Sequence, residues 1–392
     1  MGVKDGYGTR GGVLVENPFY VLLAFIGLYL VVDLALKLSG VALELGAIEV
    51  LGVELGGFKV IGGSEPLSSF LTKVVNGLLR GLIIGLTGIG LSMTYSILGF
   101  ANFAHGDFIT VGAFIGTGTS YVIAGVFGAA TYDIGALTLM EVEASQLGLS
   151  ITGGPLVFGA IVLGLLIAGV GTVGVVLLVD RLAFEPIRDR SSVSLLITSI
   201  GVALVLRYLV NFVWGTSNRS TYGSAWDLAI SVGNGTVKID AHDLALVVIS
   251  VSLMLAVHLL LQTSKLGKAM RAMADNKDLA RVTGIPTDRV IRFTWVLGGG
   301  LTGVAGYTWV LWQGSFGWFD GWLFLLLVFA AVILGGIGSI YGAMAGGVII
   351  GLALALSTIF IPSSLAKASA FALMIVVLIV KPSGLFGGRT TA

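Results

Sequence analysis

PLVFGAIVLGLLIAGVGTVGVVLLV, residues 155–179, runs without a single charged side chain. A hydrocarbon core roughly 30 Å thick needs about 20 apolar helical residues to cross it, and this stretch supplies them. A core helix of a soluble domain would be shorter and amphipathic. Comparable runs near 18–38, 74–97, 107–127, 193–214, 243–262, 291–312, 322–340, 343–361 and 367–381 bring the total to about ten. The 392 residues are 56% hydrophobic and 11% charged, with a mean hydropathy of +1.01, which places the chain in lipid. The expected fold is all-α: a polytopic transmembrane bundle of nine or ten helices.

Glycine supplies 59 residues, many inside the apolar runs. Lipid tails are as apolar as leucine, so membrane helices associate through close packing, and small residues let backbones approach. Cysteine is absent, which excludes disulfides, thiolate nucleophiles and Cys-ligated metals. The three histidines, His105, His242 and His258, form no helix-spaced pair with a second ligand, so no metal site is expected. A net charge of +1 points to no nucleic acid or other polyanion. The first run follows Lys4 and Arg10 but is too long for a signal peptide, contains Asp33 and lacks a small-residue cleavage site. It reads as a retained helix.

Basic residues orient the spans. Lys265, Lys268, Arg271, Lys277, Arg281, Arg289 and Arg292 cluster between 263 and 292, and Arg181, Arg188 and Arg190 between 180 and 192; both loops are expected in the cytoplasm. The connections 39–70, 128–154 and 215–242 hold few basic residues and are expected outside. Alternation through ten helices puts both termini in the cytoplasm, next to Lys4, Arg10, Lys381 and Arg389. The near-alternating sequences at 41–62 and 220–240 read either as small external β-hairpins or as irregular loops.

ILGFANFAHGDFITVGAFIG, residues 97–116, sets Asn102, His105 and Asp107 between two spans with almost no ordinary loop sequence. Titratable groups at membrane depth face a bundle interior or a water-filled path. Gly99 and Gly106 allow a helix break there. ILGGIGSIYGAMAGGVIIG, residues 333–351, has Gly335, Gly338 and Gly342 in a similar arrangement, either an internal repeat or a coincidence of composition. Paired glycine breaks point to a transport pathway. His105 and Asp107 read as a structural hydrogen-bonded pair before a proton relay. Arg80 and Arg207 fall inside spans and are expected to snorkel to headgroups; the sharper alternative is that one faces the pathway and attracts a substrate carboxylate.

KLGKAMRAMADNKDLARVTGIPTDRVIRF, residues 265–293, reads as one cytosolic helix to Val282, stopped by Gly284 and Pro286. Ala269, Ala272, Met273, Asn276 and Ala280 share a face that suits docking into a groove on another protein, or lying at the cytoplasmic leaflet. RAMADNKDLARVTGI at 271–285, ILGGIGSIYGAMAGG at 333–347, NFAHGD at 102–107 and FEPIRDRSSVSLLITSIG at 184–201 resemble the permease subunits of branched-chain amino-acid ABC importers, specifically the LivH-type subunit. The resemblance covers about residues 74–386.

It implies a permease, not an enzyme, in the inner membrane, working with a second, LivM-type permease subunit, cytosolic ATP-binding subunits and an external substrate-binding protein. No GxxxxGK[ST] motif occurs, so ATP is expected to be hydrolysed by a partner, with no cofactor bound here. Carried over by position, Ala274, Asp275, Ala280, Gly284 and Ile285 are the ATPase-coupling candidates. Residues 71–386 form the expected permease domain, 1–70 an additional helix and external segment, and 387–392 a short cytoplasmic tail. Two alternatives remain: a permease for urea or short amides, and a self-sufficient proton-coupled transporter or channel.

Overall fold

The computed structural model describes residues 18–45, 48–50, 53–55, 58–127, 150–220 and 226–387, and most of the expected 128–154 loop lies outside them. Their contacts divide into two compact units, one of the described residues up to Thr72 with Ile230–Val237, the other of Lys73–Ala229 with Lys238 onward.

In the first unit, α1 (Pro18–Ser39) is a long apolar helix. After it, β1 (Ala42–Leu45) pairs antiparallel with β4 (Phe58–Gly62), and β2 (Ile48–Val50) with β3 (Val53–Leu55). The described residues of 41–62 are therefore paired antiparallel strands and not irregular loop. Asp33, the one acid of α1, is buried; its Oδ1 accepts the Gly62 N–H at 2.5 Å and its Oδ2 pairs with Lys37 at 2.7 Å. A carboxylate in an apolar helix is tolerable because both oxygens are bonded.

The larger unit is built from α2 (Leu67–Leu98, beginning at the unit boundary), α3 (His105–Val126), α4 (Pro155–Val179), α5 (Ser192–Trp214), α6 (Ala241–Thr263), α7 (Lys265–Asp275), α8 (Lys277–Val282), α9 (Thr287–Gln313), α10 (Asp320–Gly335), α11 (Ile340–Leu356) and α12 (Ala366–Val380). Eight of the described helices are long and apolar enough to cross a membrane. The short strands β5 (Arg219–Ser220) and β8 (Ser315–Phe316) pair with each other. β6 (Asp227–Val232) and β7 (Gly235–Asp240) form a hairpin whose two-residue turn places Gly233 at φ +59°. Primed hairpin turns need that left-handed backbone, which glycine adopts without a Cβ clash. The exposed Lys238 Nζ lies 2.8 Å from Asp227 Oδ2 and holds that carboxyl below its ordinary range.

Helices α3, α4 and α9 form the closest-packed group, and glycine decides how close. A Cβ placed on Gly112 would lie 2.4 Å from Gly303 Cα, and one on Gly303 would lie 2.5 Å from the Ala168 carbonyl oxygen. Backbones in contact gain dispersion over their whole length where no hydrophobic drive separates lipid from protein. Of α2's apolar window 67% is buried, against 11% of α12's, so α2 is central while α12 is largely exposed.

Two boundaries differ from the sequence expectation. The run at 322–340 ends as a helix at Gly335, because Gly336 (φ +107°) and Gly338 (φ +86°) turn the chain and Ser339 caps α11 through its Oγ on Gly342 N. The segment 265–293 begins with two helices, not one: Asn276 leaves helical conformation (φ −158°, ψ 104°), ends α7 and caps α8 by accepting the Leu279 N–H at 2.9 Å. Asparagine competes for backbone donors in this way, so the helix breaks where its side chain can cap.

Candidate functional site

Residues 99–104 break the chain inside the bundle. Gly99 (φ +74°) ends α2, and α3 starts at His105, whose ring lies beside Gly90 and within hydrogen-bonding reach of Thr302. Thr302 is roughly 20 Å along α9 from Thr287 at 1.5 Å per residue, so α3 begins beside the middle of α9 and not at its end. α10 starts next to it: a Cβ on Gly106 would lie 2.7 Å from the Gly321 carbonyl oxygen. With 16 residues, α10 is too short to cross the hydrocarbon unaided. The second break, 336–339, meets the first through Ser96, whose Oγ donates to the Gly338 carbonyl at 3.0 Å.

The sequence reading expected His105 and Asp107 to form a hydrogen-bonded pair, but they do not bond to each other. They point to different partners because they sit two residues apart on a helix, on different faces. His105 Nε2 lies 3.0 Å from the Thr87 carbonyl oxygen and 3.2 Å from Thr302 Oγ1. A carbonyl can only accept, so Nε2 carries the proton and the ring ties α2, α3 and α9 together.

Asp107, in the first turn of α3, takes Arg207 of α5 as a two-pronged partner: Nε to Oδ1 at 2.9 Å and Nη2 to Oδ2 at 3.0 Å. Both are buried, and the guanidinium is covered by the rings of Trp322 at 4.5 Å and Phe319 at 5.0 Å. Arg207 therefore does not snorkel. A bidentate carboxylate and two aromatic faces offset its desolvation.

Arg80 is the opposite case. Its Nε is buried without a hydrogen-bond partner, and the guanidinium faces Trp312 at 5.7 Å. It borders a cavity of about 320 Å³ shared with α9, α10, α11 and α12. Asn102 is fully buried; its Oδ1 accepts the Ala104 N–H at 3.1 Å, while Nδ2 has no partner among the described residues.

The candidate glycines separate into two kinds. Gly99 and Gly338 adopt left-handed conformations at the breaks. Gly106, Gly335 and Gly342 are helix contacts: Gly106 meets Gly321, and Gly335 and Gly342 face each other so closely that a Cβ on either would strike the other's carbonyl. The sequence reading gave all five one role because spacing cannot tell a break from a contact.

On the α7–α8 segment, Ala280 is buried in the same apolar core as Met270 and Met273 and presents almost no surface to a partner. Gly284 (φ +86°) donates to the Arg281 carbonyl at 3.1 Å and Ile285 N to the Ala280 carbonyl at 3.0 Å, the paired bonds of a Schellman cap. Ala280, Gly284 and Ile285 thus shape the turn. Ala274 is half-buried and Asp275 exposed. The side chains that stand out are Leu279, 60% exposed, and Val282, 84% exposed, which the sequence reading missed. Large apolar residues three apart in a charged segment were the available signal.

Among the described residues no three His, Asp or Glu side chains gather as a metal site. Eight long apolar helices among the described residues, with the short helix α10 and the chain breaks packed among them, make this a polytopic membrane protein. Residues 73–380 match the family described as branched-chain amino acid transport system / permease component, and the chain belongs to that family. It is 32% identical to the high-affinity branched-chain amino acid transport system permease protein LivH of Salmonella typhimurium, over 83% of this chain and 97% of that protein. BraD of Pseudomonas aeruginosa, a permease protein of the same kind of system, is 28% identical over 81% of this chain and 96% of its own. A probable LivH of Methanocaldococcus jannaschii is 27% identical over 78% and 89%.

Proposed function

We propose that this chain is the LivH-type permease subunit of an ABC importer that moves branched-chain amino acids into the cytoplasm. The family match over residues 73–380 carries this reading. Pairing with a LivM-type subunit, an external binding protein and cytosolic ATPases belongs to the proposal, as do an inner-membrane location and cytoplasmic termini. The pathway runs past the two breaks, where Gly99 and Ile337 are exposed and Asn102 keeps an unused donor. The cytosolic α7–α8 turn receives the ATPase through Leu279 and Val282, with Asp275 beside them. Covering these two exposed apolar side chains removes their area from water, which favours a docked partner.

Two measurements test the reading. ATPase subunits are expected to co-purify from mildly solubilised native membranes, and Leu279→Asp with Val282→Asp is expected to lower their recovery at least about tenfold, the effect of losing roughly 1.4 kcal/mol of contact. A solitary protein that carries substrate in vesicles without ATP overturns it. Uptake of leucine, isoleucine and valine by vesicles holding the whole assembly, compared with urea and acetamide, tests the substrate class; uptake of urea or acetamide alone rejects it.

A further inference from the structure

Arg80 and Arg207 each lie well inside a long helix, and the structure treats them in opposite ways. Arg207 is held by a carboxylate and covered by two rings. Arg80 has no hydrogen bond or ion pair among the described residues, although its Nε is cut off from solvent. A guanidinium left without an anion in such a place is costly unless something fills the space beside it. That space is the cavity of about 320 Å³. It is at the small end of ligand pockets, which run from roughly 300 to 1,000 Å³.

The walls are divided by chemistry. Arg80, Lys367 and Asp320 supply charge, with the amide of Gln313 beside them. Asp320 Oδ2 accepts the Gly317 N–H at 2.7 Å, and no described residue bonds its Oδ1. Lys367 and Gln313 are exposed, so the polar end is the open end. Phe324, Leu327 and Leu354 are buried and make the closed end apolar, with the Trp309 ring tilted against Phe324 at 4.5 Å between centroids. Two cations, one carboxylate and an aliphatic recess complement a small molecule that carries a carboxylate, an ammonium and a branched apolar tail.

We propose that this cavity binds a zwitterionic aliphatic α-amino acid on its way through the permease. Arg80 takes the carboxylate, Lys367 adds attraction at the open end, Asp320 Oδ1 accepts the ammonium, and Phe324, Leu327 and Leu354 receive the side chain. The inference rests on the amino-acid permease reading above and names the groups that would recognise the substrate's head.

The test uses the intact membrane assembly in nanodiscs, without the external binding protein, and measures direct binding of L-leucine, leucinamide, which lacks the carboxylate, and 4-methylpentanoate, which lacks the ammonium. The unmodified assembly is expected to bind leucine at least about tenfold more tightly than either analogue, the scale of a lost charge-assisted hydrogen bond. Arg80→Gln is expected to bring leucine and leucinamide within about threefold of each other while the preference over 4-methylpentanoate survives; Asp320→Asn is expected to do the reverse. Arg80→Lys, which keeps the charge, retains part of the carboxylate preference and serves where Arg80→Gln does not fold. Absence of leucine binding by the unmodified assembly, or unchanged discrimination in the folded variants, overturns the site. Leucine uptake by the complete importer that is indifferent to Arg80→Gln removes the site and leaves the permease reading standing; absence of any amino-acid uptake removes the reading itself.

Discussion

Asp107→Asn is expected to destabilise the protein by about 3–5 kcal/mol, the cost of leaving a buried charge without its partner. Arg207 is buried against α3, α5 and the rings of Trp322 and Phe319, with no second carboxylate bonded to it among the described residues. Asparagine can accept one hydrogen bond from the guanidinium but leaves its charge uncompensated. Arg207→Gln is expected to cost less, because a carboxylic acid can take up a proton and an arginine cannot lose one. The double variant Asp107→Leu with Arg207→Met replaces the pair by apolar volume and is expected to recover at least half of the Asp107→Asn loss. Thermal unfolding in detergent, read as the fraction of monodisperse protein against temperature, ranks the four proteins. A double variant no more stable than Asp107→Asn would show that the two side chains do not act as a unit.

Gly112→Ala is expected to be comparably damaging, about 3 kcal/mol or more, although it adds one methyl group. That methyl would sit 2.4 Å from Gly303 Cα, and Gly303 is itself pressed against Ala168 on the far side. No rotamer relieves a clash between backbones, so α3 and α9 must separate and α4 with them. Gly118 and Gly159 lie in the same two helices, α3 and α4, and a Cβ on either meets nothing within 4 Å. Alanine there is expected to be neutral or stabilising by up to about 1 kcal/mol through helix propensity. The same thermal measurement separates the two classes; equal behaviour of Gly112→Ala and Gly118→Ala would refute close packing as the reason for the glycines.

Much of this architecture is legible in the residues. A run such as 155–179 can only be a membrane helix, since no other structure hides so many peptide groups in lipid. The break after Gly99 is legible because Asn102, His105 and Asp107 interrupt an apolar sequence where a loop would be longer and more polar. Alternation at 41–62 and 220–240 allowed β-hairpins or irregular loops alike, and the pairing of the described strands decides for strands. The division of α7 from α8 at Asn276 was also available, but a favourable run of Ala, Met and Lys hid the cap within a helical pattern.

The roles of individual candidates were not legible, and the reason is distance in sequence. Asp107 finds Arg207 a hundred residues away, and His105 finds Thr302 nearly two hundred residues away. Spacing rules reach only a few positions along one helix.

By itself the sequence determined that the chain spans the membrane repeatedly, that its helices pack through small residues and that two of its glycine-rich segments are broken, because each is set by local hydropathy and backbone freedom. Only the tertiary structure decided that Arg207 is neutralised while Arg80 faces an open cavity, that Gly106 joins helices while Gly99 ends one, and that Ala280 lies inward while Val282 stands exposed. Charge compensation and burial depend on what the fold brings from elsewhere in the chain, and local sequence does not carry that information.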